Sequence, residues 1–267
     1  MASSSITLDG ANVVLSGASG GLGGAIAHAL NEKGAHLVLS GRRADRLEAL
    51  ARDLRDAEVE PCDFADREAV AGFAERVEDA DVLVANAALP GAGTLDDFTP
   101  LEIDRVLDVN LRTPILLARH LAPLMTARKR GHLVFVSSMG AKLPASRIAV
   151  YSATKTGLRG FAACLRQELA GTGVGVSVVF PGSVRDAGMF ADSGATGGGG
   201  TVTSAAVAAG VVRAIEHNKA EVNVASAPLR AMAVFANIAP GAWAWIARRA
   251  GADKQTAALA AGLRDRR

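Results

Sequence analysis

Short apolar runs alternate with longer amphipathic segments along most of this chain. The clearest runs are VVL at 13–15, LVL at 37–39, VLVA at 82–85, LVFV at 133–136 and VSVVF at 176–180. Apart from Ser177, each run is apolar without alternation, which is typical of parallel strands whose two faces are both covered by helices. The pattern therefore predicts an α/β fold, a Rossmann-like doubly wound parallel sheet with helices on both faces.

This reading predicts seven strands and six main helices. The strands are expected near Asn12–Ser16, His36–Ser40, Val59–Cys62, Val82–Ala85, His132–Ser137, Val174–Phe180 and Glu221–Ala225. The helices are expected near Gly23–Lys33, Ala44–Arg55, Arg67–Val77, Pro100–Arg128, Ser152–Ala170 and Ser204–Asn218. A chain of 267 residues is within the range of one α/β domain, so 1–267 is predicted to be a single domain. Within it, the glycine-rich stretch 186–203 is expected to be a flexible substrate loop and 227–267 a C-terminal helical tail.

Composition narrows the class of partner. The net charge is +2 and the basic residues are dispersed, so no nucleic-acid partner is expected and a small-molecule ligand is favoured. The two cysteines, Cys62 and Cys164, form neither a disulfide framework nor a metal-spaced cluster. We therefore expect no metal site and a reducing, cytoplasmic location.

An uncharged stretch at 231–247 is the one candidate for membrane contact. It is 17 residues long and is interrupted by Asn237, Pro240 and Gly241, so a membrane-spanning helix is not expected. Packing against the protein body is the favoured interpretation. A substrate lid, an oligomer contact and membrane-surface contact through Trp243 and Trp245 are alternatives that the sequence leaves open.

The segment 16–23 follows the first predicted strand and opens a helix. Its glycines would let the backbone turn tightly and approach a pyrophosphate, while free amides at the helix start would face the negative charge. The spacing G-x-x-x-G-x-G differs from the G-x-G-x-x-G of many dinucleotide domains, and a simple tight turn is the alternative. The predicted cofactor-binding residues here are Gly17, Ser19, Gly20, Gly21, Leu22 and Gly23.

The residues after the second strand indicate which dinucleotide is preferred. An NAD site would place an acid here to bind the ribose hydroxyls, whereas this chain has Gly41 followed by Arg42 and Arg43. Arginine pairs with a 2′-phosphate, so NADP(H) is predicted over NAD(H); solvated arginines at a helix start are the alternative. Asp63, after the third strand, is either a receptor for the adenine amino group or a helix-start acid.

Tyr151 and Lys155 are four residues apart at the start of a predicted helix and so share one face. A free tyrosine has a pKa of about 10, and acid/base work near neutrality requires lowering it by roughly two to three units. A neighbouring ammonium and a positively charged nicotinamide would have this effect. Tyr151 is also the only tyrosine of the chain.

Two further polar residues complete a candidate catalytic set. Ser138 follows the fifth strand and would hold the substrate oxygen at the carboxyl edge of the sheet. Asn110 lies inside the long predicted helix 100–128, where its amide would distort the helix and hold a water near Lys155. Taken singly, each of these four residues has an ordinary structural explanation.

In combination, these residues resemble the short-chain dehydrogenase/reductase family over 8–226. The resemblance rests on Gly17, Gly21, Gly23, Asn86, Asn110, Ser138, Tyr151, Lys155 and Pro181-Gly182, in this order and spacing. It implies that Tyr151 is the acid/base, that Lys155 binds the nicotinamide ribose, that Ser138 orients the carbonyl and that Asn110 maintains a water-linked proton relay. It also implies cofactor contacts from Asn86, Ala87, Pro181, Gly182 and Val184.

The chain departs from the family pattern in two places. Ala85-Asn86-Ala87-Ala88 stands where Asn-Asn-Ala-Gly is usual, which affects local packing more than chemistry. Asp186 replaces a threonine that often touches the cofactor amide, and it would bring a carboxylate towards the nicotinamide.

The predicted function is an NADP(H)-dependent ketone or aldehyde reductase, or alcohol dehydrogenase. Apolar residues at Met139, Leu143, Met189 and Phe190 indicate a hydrophobic substrate. The alternatives are a catalytically silent NADP-binding regulator and a nucleotide-sugar epimerase, although too few residues follow the seventh strand for a sugar-binding domain. The resemblance also implies a homodimer or homotetramer.

Overall fold

A computed structural model describes residues 5–194, 200–249 and 252–263. Within these ranges the chain forms one seven-stranded sheet in the order β3-β2-β1-β4-β5-β6-β7, with every neighbouring pair parallel. The strands are β1 Asn12–Ser16, β2 His36–Ser40, β3 Ala57–Val59, β4 Val82–Ala85, β5 Gly131–Val136, β6 Val174–Pro181 and β7 Glu221–Val224. The predicted doubly wound α/β fold is therefore confirmed.

Helices cover both faces of this sheet. They are α1 Gly21–Glu32, α2 Ala44–Arg52, α3 Arg67–Arg76, α4 Pro100–Leu107, α5 Thr113–Ala127, α6 Ala149–Glu168, α7 Gly188–Asp192, α8 Ser204–Glu216, α9 Ala227–Ile238, α10 Pro240–Arg249 and α11 Ala252–Gly262. Successive residues of a strand point to opposite faces, so Val14 joins the core under α3, α5 and α6, while Val13 and Leu15 join the core under α1, α2 and α8. These two cores explain why the strands are continuously apolar.

The third strand differs from the sequence prediction. Val59–Cys62 was expected, but β3 is Ala57–Val59 and pairs with Leu37–Leu39 of β2. The strand lies at the edge of the sheet, and its three side chains are only partly buried or exposed. Its position is set by pairing with β2, which a hydrophobicity pattern does not report.

The predicted continuous helix 100–128 is also wrong, because a wide π-helical turn at Asp108–Arg112 separates α4 from α5. The amide of Thr113 donates to the carbonyl of Asp108, five residues back. Pro114 has no amide hydrogen with which to continue the regular ladder at this point. The side chain of Asn110 lies inside this turn and is fully buried.

The chain after β7 forms α9, α10 and α11. No helix in the described part of the chain has the length and apolar character needed to cross a membrane. Parts of two predicted segments lie outside the described residues, namely 195–199 of the substrate loop, and 250–251 and 264–267 of the tail.

Candidate active site

A cleft of about 1000 Å³ lies at the carboxyl ends of the strands. Of the residues predicted to form the site, all except Asn110 line it. The lining includes Gly17, Ser19, Gly20, Gly21, Leu22, Gly23, Arg42, Arg43, Asp63, Asn86, Ala87, Ser138, Tyr151, Lys155, Pro181, Gly182 and Val184. Residues separated by more than 160 positions in the sequence are thus brought to one surface, as expected for a doubly wound sheet.

The loop between β1 and α1 forms one end of the cleft. Gly17 has φ +71°, and a Cβ there would be 2.7 Å from the Cα of Ala87. A Cβ on Gly23 would collide with the carbonyl oxygen of Gly17. Two of the predicted glycines are therefore required for backbone packing, which holds the loop close to the sheet edge.

The start of α1 leaves its first amides available to a ligand. The helix begins at Gly21, two residues earlier than predicted, and its N-cap Gly20 supplies no side-chain hydrogen bond. No acidic residue lies in the first turn. Uncapped amides at the positive end of a helix, beside a loop too narrow for side chains, fit a pyrophosphate.

Asn86 and Ser16 brace this loop against β4. The hydroxyl of Ser16 accepts hydrogen bonds from the amides of Asn86 at 3.0 Å and Ala87 at 3.1 Å. The Asn86 side chain donates to the carbonyls of Ser16 and Gly17, both at 3.2 Å. Asn86 thus fixes the loop geometry even though its flanking residues depart from the family pattern.

Three arginines lie beside the same loop. Arg42, Arg43 and Arg46 all line the cleft, and Arg43 donates to the carbonyl of Ser19 at 2.5 Å. Burial lowers the pKa of Arg43, and the neighbouring charges of Arg46 and Arg42 lower it further. Arg46 was not predicted from the sequence. It lies four residues after Arg42, a spacing that would have placed both side chains on the same side of a helix.

Asp63 lines the cleft near this arginine group, and its carboxylate accepts a hydrogen bond from the amide of Ala65 at 3.1 Å. This contact fits the helix-start interpretation, and the contact with adenine stays a prediction.

Ser138, Tyr151 and Lys155 meet in the middle of the cleft. Tyr151 lies in the first turn of α6 and shares a hydrogen bond with Ser138, whose hydroxyl also accepts from the amide of Gly140 at 3.0 Å. The backbone of Tyr151 packs on Gly91, where a Cβ would be 2.8 Å from the Tyr151 nitrogen. The phenol is therefore held in place by a neighbouring loop as well as by its own helix.

The Lys155 ammonium is 2% exposed and lies below the tyrosine ring. Its Nζ donates to the carbonyl of Val136 at 2.9 Å and is 5.9 Å from the centre of the Tyr151 ring. Burial lowers the pKa of Lys155 to about 8.

The pKa of Tyr151 differs from the sequence expectation. Burial raises it, and the hydrogen bond with Ser138 opposes this shift. The expectation combined the Lys155 ammonium with a positively charged nicotinamide, and the ammonium by itself donates to Val136. The lowering of the Tyr151 pKa by both charges together stays a prediction.

Asn110 lies behind the cleft and does not line it. Its Oδ1 accepts from the amide of Leu89 at 2.7 Å, and its Nδ2 donates to the Leu89 carbonyl at 2.9 Å and to the Thr154 hydroxyl at 3.4 Å. Asn110 therefore joins the π turn to the loop after β4 and to α6, one residue before Lys155.

Asp186 is turned away from the cleft. Its carboxylate accepts from the amide of Ser204 at 2.8 Å and from the Ser204 hydroxyl at 3.0 Å. The backbone hydrogen bond from Ser204 lowers the pKa of Asp186. The expected approach of this carboxylate to the nicotinamide position is not seen; instead Asp186 binds the start of α8.

The other end of the cleft is apolar. It includes Met139, Leu143, Met189 and Phe190, as the sequence indicated, together with Ile148, Leu229, Leu259 and Leu263. Leu259 and Leu263, from α11 and the residue after it, pack with Ala92, Ile148 and Met189. The role of Leu259 and Leu263 could not be predicted from the sequence, because they contact segments more than 60 residues away in the chain.

Comparisons with known proteins agree with the family resemblance of the sequence. The sequence profile of the family described as short chain dehydrogenase matches residues 11–197. The ketoacyl reductase HetN of Nostoc sp. is 34% identical over 84% of this chain and 81% of its own. The 3-oxoacyl-[acyl-carrier-protein] reductase FabG of Rickettsia bellii is 32% identical over 67% of this chain and 75% of its own. A metagenomic short-chain oxidoreductase solved in complex with NADP is 35% identical, with a TM-score of 0.70 over 82% of this chain and 98% of that one.

Proposed function

Since this chain belongs to the short-chain dehydrogenase/reductase family of NAD(P)-dependent oxidoreductases, we propose that it reduces an apolar ketone or aldehyde with NADPH, using Tyr151 as the proton donor. The observation that carries the proposal is the meeting of Ser138, Tyr151 and Lys155 between the glycine loop and the apolar end of one cleft. When bound, the reduced nicotinamide supplies the hydride for the carbonyl carbon.

The proton in this scheme comes from the phenol of Tyr151. A tyrosine with its ordinary pKa of about 10 is protonated at neutral pH, and Tyr151 would transfer this proton to the carbonyl oxygen as that oxygen gains charge. Ser138 donates a hydrogen bond to the same oxygen and so positions it next to the phenol. In the reverse direction, the same phenol would have to be deprotonated first and would then accept the proton from the alcohol.

Lys155 and Asn110 have supporting roles in this proposal. The Lys155 ammonium would hold the nicotinamide ribose and stabilise the phenolate left after proton transfer. Asn110 connects the loop at Leu89 to Thr154, the residue before Lys155, and so helps to position Lys155. The predicted water relay would pass through this region.

The preference for NADP(H) over NAD(H) is supported by charge. Arg42, Arg43 and Arg46 surround the end of the cleft where a 2′-phosphate would lie, and Gly41 has no acidic side chain to bind a 2′-hydroxyl. A Cβ at Gly41 would come within 2.9 Å of the Ser19 hydroxyl, so this position also has little room for an acid.

The substrate class is supported by the lining of the cleft and by the relatives. Met139, Leu143, Met189 and Phe190 form an apolar surface next to Tyr151 and Ser138. Two of the relatives are named as ketoacyl and 3-oxoacyl reductases, which favours a carbonyl on an acyl chain.

We extend the proposal to the whole chain. Residues 1–267 would act as one domain in a cytoplasmic homodimer or homotetramer, with 186–203 as the substrate loop. Sedimentation equilibrium of the purified protein would give the oligomer number.

The first experiment is a titration of the protein with NADPH and with NADH, followed by absorbance at 340 nm with ketones, aldehydes and 3-oxoacyl thioesters of increasing chain length. We expect tighter binding of NADPH and a decay that grows with the apolar length of the carbonyl substrate. Binding without decay for every carbonyl would favour the silent regulator, and no binding of either nucleotide would overturn the proposal.

A further inference from the structure

The outer faces of α9 and α10 carry most of the exposed apolar surface. In the described part of the chain, eight large apolar residues are exposed, and six belong to these two helices. We call these six the tail patch: Met232, Val234, Phe235, Ile238, Trp245 and Ile246. Ile238 is 77% exposed and Val234 is 61% exposed, so the described part of the chain leaves the patch uncovered.

The charges within the segment that forms the tail patch have one sign. The segment 222–249 contains Arg230, Arg248 and Arg249 but no aspartate or glutamate. All three arginines are exposed, and the Arg249 guanidinium lies 4.4 Å from the centre of the Trp245 ring. An apolar face with tryptophan at its border and arginine beside it matches the interface of an anionic membrane, where rings and guanidinium groups lie at headgroup depth.

We infer that the tail patch docks this enzyme on the surface of a membrane that contains anionic phospholipids. Helices α9 and α10 would lie in the interface plane, with Phe235 and Ile238 in the acyl boundary and Arg248 and Arg249 on the phosphates. A second copy of this chain fits the patch less well. A two-fold contact would bring the three arginines of each copy into one interface, and the segment has no acidic residue to pair with them.

The patch is firmly joined to the protein near the cleft. The indole of Trp243 donates to the carbonyl of Pro144 at 3.0 Å, and Asn237 donates to the carbonyl of Lys142 at 3.0 Å. Leu229, on the same helix as the patch, lines the apolar end of the cleft. Docking would therefore place that end of the cleft near the lipid, where apolar carbonyl compounds are concentrated.

The test is flotation of the full-length protein with vesicles of phosphatidylcholine mixed with phosphatidylglycerol, and with vesicles of phosphatidylcholine alone. Trp245 belongs to the patch and Trp243, the other tryptophan of the chain, lies in the same helix, so a blue shift of the emission on binding reports on α10. We expect binding to the mixed vesicles with a blue shift, and weaker binding to phosphatidylcholine alone. These readouts do not depend on catalysis, so they separate this inference from the proposed function.

Two sets of variants measure separately how apolar contacts and positive charges contribute to vesicle binding. Ile238→Ser is expected to weaken binding about tenfold or more, because an apolar side chain no longer enters the lipid. Leu101→Ser is the matched control, since Leu101 is also 77% exposed but lies on α4. Arg248→Gln with Arg249→Gln is expected to weaken binding to the anionic vesicles about tenfold, whereas Arg52→Gln with Arg55→Gln leaves it unchanged.

Two results would overturn the inference. One is the absence of flotation with either vesicle, and the other is equal binding by wild type and Ile238→Ser. If Ile238→Ser instead reduces the molar mass in sedimentation equilibrium while no vesicle binds, the patch is a contact between copies of this chain and the membrane inference is wrong. Circular dichroism of each variant checks that the helices are retained.

Discussion

The ammonium of Lys155 donates a 2.9 Å hydrogen bond to the carbonyl of Val136, the last residue of β5. The lysine is thereby fixed at the carboxyl edge of the sheet and is almost completely shielded from solvent. Burial of a cation at this point is unfavourable for folding, and it lowers the pKa of Lys155 to about 8.

Lys155→Met is expected to remove a pH dependence of stability. The folded-state pKa of about 8 lies below the ordinary value of 10.5, so between these two values the unfolded chain binds more protons than the folded one. The contribution of Lys155 to the free energy of unfolding should rise over this interval by up to about 1.4 kcal/mol per pH unit. The Cys62 thiol, whose pKa is raised by burial to about 11, acts in the opposite direction above pH 9 in all the variants. Urea unfolding between pH 7 and pH 11 should therefore show a more positive slope in the wild type and in the exposed control Lys219→Met than in Lys155→Met. Equal slopes in all three proteins would contradict the buried state of Lys155.

Tyr151→Phe tests the proton donor. The variant keeps the ring and the backbone packing on Gly91 but loses the hydroxyl, so the fold and NADPH binding should persist. The rate of NADPH oxidation with a carbonyl substrate should fall by at least about 10²-fold. Thr156→Val removes a hydroxyl from an exposed position of the same helix and should leave the rate unchanged. Retained activity in Tyr151→Phe would exclude it as the acid.

Arg42→Ala tests the dinucleotide preference. Charge-assisted hydrogen bonds to a 2′-phosphate are worth about 1.5–3 kcal/mol, so the Kd for NADPH should rise about tenfold to a hundredfold. The Kd for NADH, which has no 2′-phosphate, should not change. Arg52→Ala, in the last turn of α2, is the control. Fluorescence titration with both nucleotides provides the measurement, and equal weakening of both would remove Arg42 from phosphate recognition.

Comparing Gly17→Ala with Gly10→Ala separates the energetic cost of backbone strain from that of a steric clash. Gly17 and Gly10 have nearly the same φ, +71° and +69°, but a Cβ on Gly17 meets Ala87 whereas a Cβ on Gly10 meets nothing within 4 Å. Gly10→Ala should therefore cost about 1–2 kcal/mol of stability from strain alone. Gly17→Ala should cost about 1–3 kcal/mol more and abolish nucleotide binding. Thermal unfolding and NADPH titration of the two variants would measure the difference, and equal losses would show that the loop has room for a side chain.

The buried imidazole of His132 is expected to make the protein less stable in acid. It is fully buried on β5, its Nε2 lies 2.8 Å from the Ser177 hydroxyl, and burial lowers its pKa to about 3. As the pH falls below the ordinary value of 6.5, the unfolded chain gains a proton that the folded protein does not bind. The contribution of His132 to stability is thus present above pH 6.5 and should decrease by up to about 1.4 kcal/mol per pH unit down to pH 3.

The measurement for His132 is urea unfolding between pH 4 and pH 7. His132→Asn should flatten the pH dependence, whatever its absolute stability, while His28→Asn at an exposed position of α1 should not. The same slope in His132→Asn as in the wild type would show that other groups cause the acid sensitivity.

Local patterns were sufficient to predict the sheet and most of the cleft. The continuous strands β1, β2, β4, β5 and β6 are apolar because both faces are buried, and this property is visible in the sequence itself. Parallel strands end at one edge, so chemistry-bearing residues after several strands were expected to meet there.

The remaining features depend on contacts between distant segments. The edge strand β3 follows its pairing with β2. A distortion of the helix at Asn110 was expected, but its form, a π turn, depends on the bonds of Asn110 to Leu89. The apolar wall formed by Leu259 depends on packing with Met189, 70 residues earlier in the chain. No local periodicity carries such information, whereas Arg46 could have been found from helical spacing after Arg42.

The π turn at Asp108–Arg112 limits how this protein could be stabilised by redesign. An α-helix advances about 100° per residue, so the extra residue of the wide turn sets the angular offset between α4 and α5. Strong helix formers placed in the turn, or deletion of one residue, would favour a regular helix in isolation. A regular helix could not satisfy both ends at once. If α5 kept its position, Asn110 would rotate away from Leu89; if Asn110 kept its bonds, Leu117 and Leu121 of α5 would rotate out of the core. Helix idealisation, a common route to thermostability, is therefore expected to fail in this five-residue stretch.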